Sequence, residues 1–408
     1  MSELEERNLR DMLEQAVGEP PRWVSLNSIR QRAIRRRITQ VGVASFAVLA
    51  VILGATFSAY AAKGGAPTTG GSRSAAGPPK YYVAQQYNRG SGFKIVVRAR
   101  TTGKVTSVVR DPKPRANCGN SLAAGGTHTF FMTCQVWRKQ PVAVLIYRFE
   151  VTNSGRATTP VLVKGATLGG GLYGENLAAS PDGAFVAIEV TRPNPNGILY
   201  TNEVSAGIYV INTETGKRVF WRTGRYVPGK LGFDGASDIS FTQNGSELVL
   251  LEKLCHRTRY QRNCRSSDPT EVRAFGPADH GGSLQGGQVL LRLSAFKKPG
   301  TSLSDALITP DGTALTSVMF NCPKRGLCTL TVARIALTTG KLLNKLYQVR
   351  TGTRFQGIDM RSFGTDPTGR FLMLNAADSP TSKWVNGWID HGRLVKLTPA
   401  DFSGEQVW

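Results

Sequence analysis

From Tyr81 to Trp408 the hydrophobic positions come in short runs, some strictly alternating, with turns between them and almost no helical period. "FKIVVRAR", "VAVLIYRFEV", "AFVAIEV", "GIYVINTETGK", "ELVLLE", "QVLLRLS", "LTVARIALTTGK" and "RFLMLNA" are of this kind. Such runs suit pleated strands with one or both faces buried, and they predict an all-β domain over 81–408. The chain before it follows other patterns. From Ile38 to Ala62 no side chain is charged, a stretch of 25 residues. At the helical rise this is roughly 37 Å, enough to cross a hydrocarbon core of about 30 Å. A transmembrane helix is therefore placed at 41–62. In the segment 1–40, Ser2 and Glu5 form a capping box, and Leu9, Met12, Leu13 and Ala16 share one face of a short amphipathic helix that "GEPPR" ends. About 40 residues are too few to enclose a core. Leu9, Met12 and Leu13 are thus the candidate contacts for a cytoplasmic protein partner. Residues 63–80, "KGGAPTTGGSRSAAGPPK", read as a flexible linker with a root-mean-square reach of roughly 23 Å.

The turns of the β domain are of two kinds. "SPDG" at Ser180, "TQNG" at Thr242, "TPDG" at Thr309 and "DPTG" at Asp366 each precede an apolar strand. Proline presets φ and glycine closes the turn. "TTGK" at Thr101, "NSGR" at Asn153, "TETGK" at Thr213, "TTGK" at Thr338 and "HGR" at His391, with a degenerate "FKKPG" at Phe296, supply the positive φ of a tight hairpin. The six glycines of this second kind lie about 58 residues apart on average, room for four strands each. A repeat of that size built from four antiparallel strands is a propeller blade. "LAASPDGAFVAIEV", "ALITPDGTALTSV" and "FGTDPTGRFLML" resemble the WD40-like, Tol-Pal-type propeller repeat. The resemblance covers the outer domain and implies a β-propeller, six blades here with seven as the alternative. The first unit is short, so a segment near 401–408 is expected to close the ring.

With strands A to D in each unit, the P-D-G turn joins A to B and the T-G-K turn joins C to D at one face. The B-to-C and D-to-A connections meet at the other. The elaborated segments are expected there: "CHRTRYQRNCRSSDPTEVRAFGPADHGGSLQGG", "CPKRGLC", "TRPNPNGILYTNEVSA", and "PKPRANC" with "CQVWRK". All six cysteines fall in them. Cys118 and Cys134, Cys255 and Cys264, and Cys322 and Cys328 are 16, 9 and 6 positions apart, so local disulfides are the simplest of the pairings open to them. No C-x-x-C pair occurs, and His128, His256, His280 and His391 are scattered, so no metal site is expected.

Charge sets orientation and ligand. Arg30, Arg32, Arg35, Arg36 and Arg37 crowd the N-terminal end of the apolar segment, which places the N-terminus in the cytoplasm and the propeller outside. The span is longer than a signal peptide's apolar region, although Ala59-Tyr60-Ala61 would admit cleavage and secretion of a product starting at Ala62. Beyond residue 62 there are 43 Lys and Arg against 22 Asp and Glu, net +21. Arg257, Arg259, Arg262 and Arg265, with Lys324, Arg325, Arg138 and Lys139, form the candidate ligand-binding face, joined by Lys113, Arg115 and Arg192. Its ligand would be anionic: a phosphate-bearing wall polymer, a lipid headgroup or an acidic protein. Nucleic acid fits the charge but not the compartment. There is no G-x-S-x-G elbow. Asp182 and Asp311 belong to turns, and "GGG" at Gly169 and "GGSLQGG" at Gly281 lack the Lys-Ser/Thr of a phosphate loop and bridge blades instead. The reading is a single-pass anchored binding or scaffold module without cofactor or catalytic residues. The alternatives are a secreted propeller enzyme and a transmembrane regulator. The regulator follows from the layout, which resembles actinobacterial membrane proteins of anti-sigma-factor type and implies a cytoplasmic segment that holds a partner.

Overall fold

The computed structural model describes residues 78–88, 92–112, 117–136, 143–169, 171–193, 203–222, 231–256, 269–277, 280–292, 301–321, 328–350, 358–366, 371–378, 383–397 and 406–408. The apolar span, the linker and the N-terminal segment with Leu9, Met12 and Leu13 lie outside them. Among the described residues no helix is long and apolar enough to cross a membrane.

The described strands form six sheets. Blade 1 holds β1 (Tyr81–Asn88), β2 (Gly92–Ala99) and β3 (Val105–Val108), blade 2 β4 (Asn117–Ala124), β5 (Thr129–Val136), β6 (Ala143–Glu150) and β7 (Val161–Leu168). Blade 3 holds β8 (Tyr173–Ala179), β9 (Phe185–Pro193), β10 (Glu203–Asn212) and β11 (Arg218–Arg222). Blade 4 has β12 (Leu231–Phe241), β13 (Leu248–His256), β14 (Pro269–Phe275) and β16 (Gln288–Arg292), with β15 (Gly282–Ser283) between the last two. Blade 5 has β17 (Thr301–Ile308), β18 (Ala314–Asn321), β19 (Thr329–Ala336) and β20 (Leu342–Arg350). Blade 6 has β21 (Ile358–Thr365), β22 (Leu372–Asp378), β23 (Lys383–Asp390) and β24 (Arg393–Lys396). In blades 2 to 6 the strands are paired antiparallel in chain order, as successive hairpins require.

Blade 1 draws its fourth strand from the other end of the sequence. β25 (Gln406–Val407) pairs with β1, Val83 opposite Val407 and Ala84 opposite Gln406. The expected closure by 401–408 is therefore observed. Apolar side chains from neighbouring blades form six clusters that run blade 1 to 2, 2 to 3, 3 to 4, 4 to 5, 5 to 6 and 6 back to 1. The closing cluster packs Tyr82, Ala84, Val96 and Trp408 of blade 1 on Phe371, Met373, Trp388 and Leu397 of blade 6. Arg100 lies over the Trp388 ring, 4.8 Å from its centroid. A ring of twisted sheets, each burying both faces on its neighbours, is a six-bladed β-propeller.

Two expectations are corrected. "FKKPG" is not a turn between third and fourth strands, because it lies between β16 of blade 4 and β17 of blade 5. The long segment after "ELVLLEKL" is not one loop, because its part Pro269–Phe275 is β14. The Gly276–Gly287 connection that follows joins third to fourth strand, and within it β15 pairs parallel with β11, Trp221 opposite Gly282. Blade 4 thus lends blade 3 a fifth strand, and "GGSLQGG" does bridge blades. Cys118 and Cys134 sit opposite each other on β4 and β5 and form a disulfide. Cys328 is also disulfide-bonded, and among the described residues no cysteine is free.

Candidate functional site

The turns between first and second strands are built by one repeated set of bonds. In blade 3 the Ser180 hydroxyl donates to Asp182 Oδ1 at 2.6 Å and accepts from Phe185 N at 2.9 Å. In blade 4 Thr242 Oγ1 meets Asn244 Oδ1 at 2.8 Å and Glu247 N at 3.0 Å. In blade 5 Thr309 Oγ1 meets Asp311 Oδ1 at 2.6 Å and Ala314 N at 3.0 Å. In blade 6 the carboxylate of Asp366 stands in the first position and accepts from Phe371 N at 2.8 Å. Asp182 and Asp311 also accept from Ala184 N and Thr313 N, so their carboxylates serve the turn. Three hydrogen bonds from Thr309 and Thr313 hold the Asp311 carboxyl down at about 2.

Four residues before each of these turns the inner strand carries a polar residue: Ser121 in blade 2, then Asn176, Asp238, Asp305 and Ser362. The register against the second strand slips beside each of them, between Cys118 and Leu122, Gly174 and Leu177, Ala236 and Asp238, Leu303 and Ala306, and Met360 and Ser362. A bulge re-aims a side chain out of the sheet's alternation. Some of these groups tie neighbouring blades: Ser121 Oγ donates to the Glu175 carbonyl, Ala306 N donates to Asp238 Oδ2 at 3.0 Å, and Ser240 Oγ donates to the Ala306 carbonyl at 2.8 Å.

The inner strands surround a cavity of about 260 Å³ whose wall includes Asn176, Asp238, Asp305, Thr365 and Gln406 with the apolar Leu122, Leu177, Ile239, Phe241, Phe363 and Trp408. Pro181, Gln243 and Asp366 belong to the wall as well, which places the cavity beside the short turns. Its charged residues are Asp238, Asp305 and Asp366, with no Lys, Arg or His among the described lining. Asn176 Nδ2 donates to Glu189 Oε2 at 2.8 Å. These lining residues were not singled out in the sequence. The signal that would have found them is the polar residue four places before each turn.

The basic residues proposed from the sequence, Arg138, Lys139, Arg257, Arg259, Arg262, Arg265, Lys324 and Arg325, lie outside the described residues, as do Lys113 and Arg115. The strands that flank them are described. Residues 137–142, 257–268 and 322–327 each join the second strand of a blade to its third, and those strands end at the face opposite the short turns. Cys118, Cys134 and Cys328 lie at the same ends of their strands or just beside them.

No protein-family profile matches this chain, and no curated protein matches it. Solved structures do. Hydrazine synthase of Kuenenia stuttgartiensis is 16% identical over 77% of this chain and 80% of its own, with a TM-score of 0.37. The periplasmic gluconolactonase PpgL of Pseudomonas aeruginosa is 14% identical over 78% and 98%, TM-score 0.37. The β-propeller domain of Myceliophteria thermophila Cps50 is 11% identical over 76% and 80%, TM-score 0.36.

Proposed function

We propose that this chain is a non-catalytic binding module, a propeller displayed outside the cell from a single membrane span, and that it holds an anionic ligand on the face opposite its short turns. The observation that supports this is the common direction of the blades. Because blades 2 to 6 run from inner to outer strand in chain order, their second-to-third connections leave from one face, and the segments that carry Arg138, Lys139, Arg257, Arg259, Arg262, Arg265, Lys324 and Arg325 are among those connections. With net +21 beyond residue 62, that face favours phosphate or carboxylate groups, as on a wall polymer, a lipid headgroup or an acidic protein. The span over 41–62, with arginines on its inner side, supplies the anchor.

The test uses the full chain in detergent with inorganic polyphosphate as probe. Binding is expected to weaken steeply with salt, and joint replacement of Arg257, Arg259, Arg262 and Arg265 by Ser is expected to cost about a hundredfold at low salt. Equal affinity of that variant would remove the basic face from the reading. Mass spectrometry of membrane and secreted fractions checks the anchor: an intact N-terminus in the membrane supports it, and a product starting at Ala62 in the medium refutes it.

A further inference from the structure

At the outer edge of the ring, beside the third-to-fourth turn of blade 2, two blades build a second recess. β3 of blade 1 lies against the segment that follows that turn, and side chains tie the two together. Thr106 Oγ1 donates to the Gly155 carbonyl at 2.7 Å, and Ser107 Oγ accepts from Ala157 N at 3.1 Å. Within blade 2 the same segment is held to β6: Thr158 N donates to the Glu150 carbonyl at 2.8 Å, and Glu150 N donates to Thr158 Oγ1 at 2.8 Å. The backbone here is therefore fixed from both sides. Over it opens a cleft of about 350 Å³ whose wall carries Arg110, Arg156, Ser107, Thr158 and Thr159.

These five side chains are left with hydrogens to donate. Ser107 and Thr158 use their oxygens to accept a main-chain N–H, so each keeps its own O–H for another acceptor. Thr159 stands exposed beside them. Arg110 and Arg156 are exposed too, and among the described residues neither guanidinium has an ion-pair or hydrogen-bond partner. No carboxylate belongs to the wall. Glu150, in the strand alongside, is paired with Arg148 at 2.9 Å, and Asp111, next to Arg110 in the chain, interacts with Lys94. Two cations and three hydroxyls without an acid suit a ligand that is all acceptor. A carboxylate offers two oxygens, whereas a phosphate monoester offers three and carries about 1.5 to 2 negative charges at pH 7, enough to answer both guanidiniums. The cleft is open to solvent, so the rest of such a ligand can extend outward.

We propose that this cleft binds a phosphate group, with Arg110 and Arg156 paired to its oxygens and the hydroxyls of Ser107, Thr158 and Thr159 donating to them. It uses none of the residues of the basic face and does not rest on that reading.

The test is calorimetric titration of the full chain in detergent with inorganic phosphate and glycerol 1-phosphate as probes, and with dimethyl phosphate and acetate as controls. The parent and the joint Ser variant of Arg257, Arg259, Arg262 and Arg265 are both titrated. The probes are expected to bind alike in the two proteins, and the controls at least about tenfold more weakly. Arg110→Gln and Arg156→Gln are each expected to weaken the probes about tenfold, and Arg156→Lys, which keeps the charge but loses the fork, about threefold. Thr159→Val removes a hydroxyl and no charge, and is expected to weaken them about threefold, which attraction by net charge alone would not produce. Thermal melts of each variant show whether it is folded. Tighter glycerol 1-phosphate assigns an esterified phosphate and tighter inorganic phosphate the free ion, and either supports the site. Unchanged probe affinity in folded Arg110→Gln and Arg156→Gln, equal binding of dimethyl phosphate, or loss of the probes in the joint Ser variant overturns the proposal. In Arg110→Gln, polyphosphate binding is expected to keep its dependence on the four arginines of the basic face, so the two readings fail separately.

Discussion

Thr309 shows how a single side chain both shapes a turn and sets a charge. Its hydroxyl closes the ring to Ala314 N and donates to Asp311, which is nearly fully exposed yet titrates at about 2. A carboxyl held below its unfolded range favours the native state only when ionised. The stabilisation is present above about 4 and is lost as pH falls through about 2. Asp311→Asn keeps the acceptor and cannot titrate. Its melting temperature is expected to fall less steeply than that of the parent between pH 4 and 2, and parallel curves would assign the acid sensitivity elsewhere. At the alkaline end, burial pushes Tyr82 up to about 12, against the neighbouring Arg98. The neutral phenol is the native form, so its contribution is full below about 10 and is lost as pH rises towards 12. In Tyr82→Phe the loss of stability over that window is expected to shrink, measured by urea unfolding at pH 9 and 11.

At the scale of elements the glycines show where blades touch. Gly165 on β7 has φ +72° and Gly216 in the third-to-fourth turn of blade 3 has φ +76°. A Cβ on Gly165 would lie 2.2 Å from the Gly216 carbonyl oxygen, a backbone atom that cannot turn aside. Gly165→Ala is expected to destabilise by about 2 kcal/mol or more, read from the denaturation midpoint, while Gly169→Ala, where a Cβ meets nothing, leaves the midpoint within about 0.5 kcal/mol. The elements that announced themselves in the sequence are those whose local chemistry is strong. Ser180-Pro181-Asp182-Gly183 and Thr338 to Lys341 mark turns by residues that only those turns favour. β14 was missed because Pro269, Glu271 and Arg273 interrupt its apolar face, and Arg273 is held by Glu271 and by the Gln285 and Gly287 carbonyls, partners assembled only in the fold. The bulged residues of the inner strands were missed because their meaning depends on a register that no single segment contains. Asp238 reads as one polar residue in a strand until Ala306 of the next blade is seen to bond it.

For the molecule as a whole, turn spacing pointed to six blades although the turn it used for the fourth, "FKKPG", lies between blades 4 and 5, and the manner of closure followed from the shortness of the first unit. The cavity did not, because it belongs to six strands drawn from the entire domain. The closing blade has its own test. Trp408 is fully buried against Tyr82, Phe371 and Trp388. Trp408→Ala is expected to cost about 3 to 5 kcal/mol and to lower the midpoint of a single transition seen alike by circular dichroism and fluorescence. A change confined to fluorescence would mean that blade 1 frays without the others.

The pairing of Val83 with Val407 joins positions about 320 residues apart. Its entropic penalty grows only with the logarithm of that length, but the wait does not. Until residues 406–407 arrive, β1 presents a bare inner edge, and an incomplete sheet accepts any strand of suitable register. During synthesis the molecule is therefore open to its own copies: at high local density, one protomer's β25 can complete another's first blade, and crowding would turn a ring-closing step into the link of an exchanged dimer.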